Sequence, residues 1–258
     1  MTDRLVQYSA DRGIARITLD SPRNRNALSA ALVTQVEEAL AAAAADDAVR
    51  AVELTHTGSA FCAGADLAEA SQGGMGTGTA RLMALLRQIL ALPKPVVGSI
   101  DGHVRAGGMG LVGACDIALA GPASTFAFSE VRLGLAPAII SLTTLPRLSA
   151  RAAGRYYLTG ETFGAPAAAA MGLVTEAVPD IGASTTAVLD ALRAASPQGL
   201  AQTKPLLTAD LLARFDASGA ALAQQSARLF ASAEAAEGMA AFLAKRPPSW
   251  TVEPNPGR

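Results

Sequence analysis

The sequence predicts an α/β fold, a core of repeated β-β-α turns over residues 1–195 followed by a helical segment, 196–258. Three observations lead there. Short apolar runs alternate with helix-prone segments through the first two-thirds, and the last third is helical in pattern. Two small-residue turns, Gly58-Ser-Ala-Phe-Cys-Ala-Gly-Ala-Asp-Leu67 and Arg105-Ala-Gly-Gly-Met-Gly110, each join an apolar run to a helix-like one. Half of the 258 residues are hydrophobic but only 4% are aromatic, and alanine supplies much of that half, which suits closely packed helices around one large core.

The elements follow in order. Leu5 to Ser9 and Ile14 to Leu19 read as strands joined by the hairpin signal Asp11-Arg-Gly13. Asp20 to Leu28 is a polar loop, and Ser29 caps a helix from Ala30 to about Ala45 whose Leu32, Val36 and Leu40 share one face. Ala51 to Leu54 is a strand ending at the first turn, and the helix-prone Ala65 to Ala70 follows it. Gln72 to Gly78 is a glycine-rich loop with no phosphate-cradling lysine. A helix over Thr79 to Leu90 stops before Pro93, and Lys94 to Ile100 is a strand entering the second turn. Gly107 to Gly113 is a buried helix, because nearly all its side chains are small or apolar. Cys115 to Leu119 and Thr125 to Phe128 are strands, Arg151 to Leu158 is a helix, and Glu161 to Gly172 holds another. Leu173 to Ala177 is a last short strand. Helices then cover Ser184 to Ala195, Pro197 to Leu212 with a break at Pro205, Ser218 to Ala233, and Ala235 to Lys245.

Composition excludes several functions. A net charge of -1 leaves no basic surplus for nucleic acid or an anionic membrane, so a phosphate-bearing ligand needs a local patch. Cys62 and Cys115 read as small buried hydrophobes, and no Cys/His spacing suggests a metal. His56 and His103 read as loop residues, with no nucleophile spaced to pair with either. The first residues lack a signal peptide's apolar segment, and no apolar run free of charge and proline reaches membrane-spanning length. A soluble cytoplasmic protein is expected.

The two turns carry the chemistry. Amide N–H groups at a strand-to-helix turn are unpaired and lie at the positive end of a helix dipole. Two of them converging from two turns would form an oxyanion hole; tight packing is the structural alternative. Phe61-Cys-Ala-Gly-Ala-Asp66, Ala106-Gly-Gly108, Cys115-Asp-Ile117 and Phe128-Ser-Glu-Val-Arg-Leu-Gly134 resemble the enoyl-CoA hydratase/isomerase (crotonase) superfamily. The resemblance runs from Asn26-Ala-Leu28 to Phe242-Leu-Ala-Lys-Arg-Pro247 and is closest to a bacterial methylglutaconyl-CoA hydratase-like branch.

The resemblance implies a crotonase-like spiral of β-β-α turns and an acyl-CoA thioester substrate, so that coenzyme A arrives as part of the substrate and no separate cofactor is needed. It implies that the N–H groups of Ala65 and Gly107 bind the thioester oxygen, and that Glu130 moves the proton. Arg25 and the Ala27 backbone would meet the coenzyme A portion. Asp66 would lie near its adenine end, unless it is only a helix cap. Ala63, Gly64, Leu67, Gly108, Leu133 and Gly134 complete the expected substrate-binding set. Hydratases of the family use a second glutamate three residues after the Gly107 position, where this chain has Gly110. That departure leaves two enzymatic readings, hydration of a 2-enoyl-CoA and Δ3-Δ2 isomerisation by one glutamate, beside a non-catalytic CoA-thioester binder. Arg105 is a candidate partner for a carboxylate on the acyl chain. Ala136, Pro137 and Ala138 stand where dehalogenases and dienoyl-CoA isomerases of the family place acids. The resemblance also implies a trimer or a dimer of trimers, with Phe242, Lys245 and Trp250 where subunits and coenzyme A meet.

Overall fold

The computed structural model describes residues 3–66, 69 and 75–252. Most of the helix expected over Ala65 to Ala70 lies outside them, as do Leu67 and residues 72–74 of the expected Gln72–Gly78 loop; Met75 to Gly78 are instead the first turn of the helix expected from Thr79, which spans Met75–Ala91. Two sheets form the core. The larger has the order β1(Val6–Asp11), β2(Ile14–Leu19), β3(Ala51–His56), β5(Val96–Ile100), β7(Ile117–Ala120), β10(Glu176–Ala177). The smaller runs β4(Ala60–Cys62), β6(His103–Arg105), β8(Thr125–Ala127), β9(Phe163–Gly164). Among the described strand pairs only β1–β2 and β8–β9 are antiparallel. The first is the hairpin expected at Asp11-Arg-Gly13, where Arg12 and Gly13 both take positive φ, as a tight two-residue loop demands.

Successive chain segments give one strand to each sheet and then a helix: β3, β4 and Met75–Ala91; β5, β6 and Gly107–Ala114. The repeated β-β-α turns expected from the sequence are therefore the architecture. Parallel strands buried on both faces need apolar residues throughout, and Val96–Ile100 is buried at every position. The core joins Ile17, Leu54, Phe61, Leu86, Val104 and Phe126 around both sheets. Helix Ala30–Ala45 begins where expected, with the Ser29 side chain accepting from Leu32 N–H.

The helical segment differs from expectation. Pro197–Phe230 is one continuous helix, capped by Ser196, and Pro205 lies inside it. Proline removes one intrahelical bond, but the helix is held through that point by what it buries. Lys204, Thr208, Leu211 and Phe215 all face inward. Lys204 Nζ donates to the carbonyls of Ile89 and Lys94 and pairs with Asp116 at 2.8 Å. Tertiary anchoring outweighs the local break. Two shorter elements also differ: the helix expected over Glu161 to Gly172 spans Ala165–Ala170 behind β9, and the last strand has only two residues. Among the described residues no helix is long and apolar enough to cross a membrane.

Candidate active site

Strands β4, β6 and β8 are neighbours and parallel, so their carboxyl ends open on the same side. Ligands of parallel sheets bind at that end. The chain leaving β4 reaches Ala65, that leaving β6 reaches Gly107, and that leaving β8 reaches Glu130. All three line one cavity of about 1070 Å³.

The two turns are in contact. Gly64 has φ +91°, and a Cβ there would stand 2.8 Å from Ala106 Cβ and 3.4 Å from Gly107 N. Only glycine lets the loops approach so closely. The direction of each amide follows from peptide planarity, since N–H and C=O of one peptide point opposite ways. Gly64 C=O accepts from Leu28 N–H at 2.8 Å, which turns Ala65 N–H away from Leu28. Ala106 C=O accepts from Met109 N–H at 2.8 Å, which turns Gly107 N–H outward from the helix start. Neither Ala65 N–H nor Gly107 N–H donates to a protein acceptor among the described residues. Ala106 itself sits at φ 46°, ψ -118°, a conformation that costs a side-chain-bearing residue about 1–3 kcal/mol. The fold holds that strain where one of the two amides is aimed.

Glu130 lies in a 3-10 turn after β8 and is only 8% exposed. Its Oε2 is buried without a hydrogen-bond partner. Burial pushes its carboxyl up to about 7, opposed by its own backbone N–H. Burial also raises the nearby Tyr157 hydroxyl, which is bonded to Thr144, and the charge of Glu130 adds to that. The Cys62 thiol, at the end of β4, is pushed up to about 12 by burial, so it stays protonated and inert.

Of the remaining residues expected at the site, Arg25, Ala27, Ala63, Asp66, Arg105 and Leu133 line the cavity. Gly64, Gly108 and Gly134 do not; they are packing positions. A Cβ at Gly108 would stand 2.8 Å from Cys62, and one at Gly134 2.7 Å from the Glu234 backbone. Asp66 accepts from Asn24 Nδ2 and from Glu69 N–H, as a turn cap does. Arg105 Nη1 donates to Val104 and Thr125 carbonyls and Nη2 to Thr125 Oγ1, tying β6 to β8.

Several features at the cavity were not read from the sequence. Arg81 and Arg132 add cations to the wall beside Arg23 and Arg25 of the polar loop, and Phe230 and Leu243 bring the helical segment to it. Gly110 is walled in: a Cβ there would lie 2.8 Å from Ile140 Cγ2 and 3.1 Å from Leu86 Cδ1. The space where the resemblance puts a second glutamate is filled by hydrocarbon.

Comparison with known proteins accords with this geometry. The enoyl-CoA hydratase/isomerase family profile matches residues 9–253. The chain belongs to that family. It is an enzyme of the family by fold as well as by sequence. A probable enoyl-CoA hydratase of Rhodobacter capsulatus is 35% identical over 258 residues, covering 97% of this chain and 99% of that protein. The crystal structure of an enoyl-CoA hydratase from Mycobacterium avium superposes with a TM-score of 0.91 at 54% identity, over 97% of this chain and 100% of that one. A carnitinyl-CoA hydratase from Mycobacterium avium superposes with a TM-score of 0.85 at 27% identity, over 98% and 100%.

Proposed function

We propose that the chain is an enoyl-CoA hydratase-type hydro-lyase, adding water across the 2,3 double bond of an enoyl-CoA thioester. One observation carries this: two unpaired amides and one buried carboxylate, its Oε2 without a partner, line the same cavity. The thioester oxygen binds Ala65 and Gly107 N–H, and the negative charge developing there as an enolate forms is held by both. The Glu130 carboxylate takes a proton from water as the hydroxyl adds to C3. The same carboxyl then delivers that proton to C2, so hydroxyl and hydrogen are both accounted for with one acid. A value of about 7 leaves either protonation state accessible near neutral pH.

Arg23 and Arg25 are exposed at the mouth and pair with no carboxylate among the described residues. They suit the phosphates of coenzyme A, with the Ala27 backbone beside them. Arg105, held by three bonds, keeps its Nε–H and one Nη2–H without a protein acceptor among the described residues. That edge suits a carboxylate on a branched acyl chain. Residues 196–258 form the segment that closes the site and carries self-association, as a trimer or a dimer of trimers, in a soluble cytoplasmic enzyme.

The hydrocarbon around Gly110 favours a second reading, in which Glu130 alone carries a proton from C4 to C2 of a 3-enoyl-CoA. Product analysis from 2-enoyl-CoA and 3-enoyl-CoA substrates separates the two. Hydration gives a 3-hydroxyacyl-CoA from the first, and isomerisation gives a 2-enoyl-CoA from the second. Binding without turnover on either would leave only a CoA-thioester binder. Arg105→Ala tests the carboxylate pairing, which fails if kinetics on a carboxylated enoyl-CoA are unchanged.

A further inference from the structure

We infer that Asn26 is a positioning residue for the oxyanion hole: its side chain braces the loop that dictates where the Ala65 N–H points. This inference rests on the role proposed above for Ala65.

Asn26 is 0% exposed and has φ +54°. A buried amide side chain must find partners, and this one finds three. Oδ1 accepts from Ser21 N–H at 2.7 Å, and Nδ2 donates to the carbonyls of Thr57 at 3.1 Å and Ala60 at 2.8 Å. The side chain thus joins the start of its own loop to the entry of β4. From there the two segments run side by side. Ala63 N–H donates to Arg25 C=O at 3.0 Å, Leu28 N–H donates to Gly64 C=O at 2.8 Å, and Leu28 and Ala65 form a parallel bridge.

The last of those backbone bonds sets the chemistry. Gly64 has a positive φ and no side chain, so its following peptide could rotate with little resistance. The bond from Leu28 fixes the carbonyl end of that peptide, and planarity then fixes the N–H end. Leu28 can hold that carbonyl only if residues 21–28 stay in register with β4. The groups that impose the register are Asn26 Oδ1 and Nδ2, together with the left-handed turn at Arg25 and Asn26. Asn26 touches no reacting atom in this arrangement. It acts through the 25–28 backbone.

Two substitutions separate this from a general loss of structure. Asn26→Gly adopts φ +54° freely, so it removes the three side-chain bonds and spares the backbone conformation. Replacing Leu28 by its α-hydroxy acid keeps the side chain and removes the donor to Gly64, while the new ester also weakens the Ala27 carbonyl that accepts from Ser29 N–H. The probe is butyryl-CoA labelled with ¹³C at the thioester carbonyl; being saturated, it binds without turnover. Its infrared C=O stretch moves to lower frequency when the oxygen accepts hydrogen bonds. In the unaltered enzyme the bound stretch is expected below that of free ligand. In both variants the part of that displacement due to Ala65 N–H is expected to disappear while Gly107 N–H still donates, and kcat falls by roughly tenfold or more, approaching the loss seen when an oxyanion donor is deleted, with a smaller change in KM. If Asn26→Gly fails to fold, Asn26→Asp carries the same measurement, since it keeps the Oδ1 acceptor for Ser21 N–H and loses the Nδ2 amide that donates to Thr57 and Ala60. A full frequency displacement and unchanged kcat in a folded variant overturn the brace alone. No displacement in the unaltered enzyme overturns the proposed function, and the brace with it.

Discussion

Glu130 ties activity to stability at a single residue. Its carboxyl titrates at about 7 in the folded chain against an ordinary 4.5. The folded state therefore binds this proton more tightly than the unfolded one, and stability falls as pH rises from about 4.5 to about 7. At about 1.4 kcal/mol per pH unit the full penalty is on the order of 3 kcal/mol above neutrality. Glu130→Gln should abolish turnover while raising the thermal midpoint at pH 8, and the gain should vanish near pH 4. Equal midpoints at pH 8 would mean that the carboxyl is not destabilised by burial. In the unaltered enzyme, kcat/KM should rise with pH through about 7, because the carboxylate is the form that accepts water's proton. Gly110 makes the complementary case. Gly110→Glu should not install a second acid but should lose about 1–3 kcal/mol in urea unfolding, the usual cost of overpacking. Pairing it with Ile140→Ala should recover part of that loss, since Ile140 Cγ2 is the nearest obstacle.

The elements show which signals the sequence carries. The strands of the larger sheet and the helices Ala30–Ala45 and Gly107–Ala114 were legible because burial on one or all faces writes a period into the residues, whereas β4, β6 and β9, two or three residues long, are too short to carry one and were read as turn or helix. The two turns were legible because close approach demands glycine, at Gly64 above all. Pro205 misled because its cost is local and its compensation is not: Lys204 reaches Ile89, Lys94 and Asp116, residues about a hundred positions away. The roles of Gly108 and Gly134 were blurred for the same reason, since a glycine that packs against Cys62 or Glu234 looks in sequence like one that faces a ligand. The Lys204 anchor can be tested. Both partners are almost fully buried, and Asp116 also accepts from Val96 N–H at 2.7 Å. Lys204→Met keeps the stem but leaves Asp116 and two carbonyls without their cation, which should cost about 3–5 kcal/mol. Denaturant unfolding measures it, and a loss below about 1 kcal/mol would show that the helix is held by its apolar face alone.

On the scale of the whole molecule, the proposed self-association needs apolar surface outside the core, and three leucines supply some. Leu206 is 81% exposed and Leu207 65%, side by side on helix Pro197–Phe230, and Leu158 is 76% exposed on helix Ala150–Thr159. Single exposed leucines are ordinary on a soluble protein, whereas adjacent ones on a helix that already buries its other face suit the proposed subunit contact. The buried stripe of that helix, Lys204, Thr208, Leu211 and Phe215, faces the core, so Leu206 and Leu207 point elsewhere. Burying the two side chains in a neighbouring subunit would gain about 3–6 kcal/mol per subunit before the cost of association. If the proposed trimer or dimer of trimers forms, light scattering gives three or six times the chain mass of 26.1 kDa. Leu206→Asp with Leu207→Asp should lower the mass towards that of one chain, because two carboxylates would have to be buried unpaired for the contact to persist. Because Phe230, Phe242 and Leu243 carry the same helical segment to the cavity, loss of assembly should also raise KM more than it lowers kcat. A single-chain mass for the unaltered protein would remove self-association from the proposal, and an unchanged mass for the double variant would move the contact to another face.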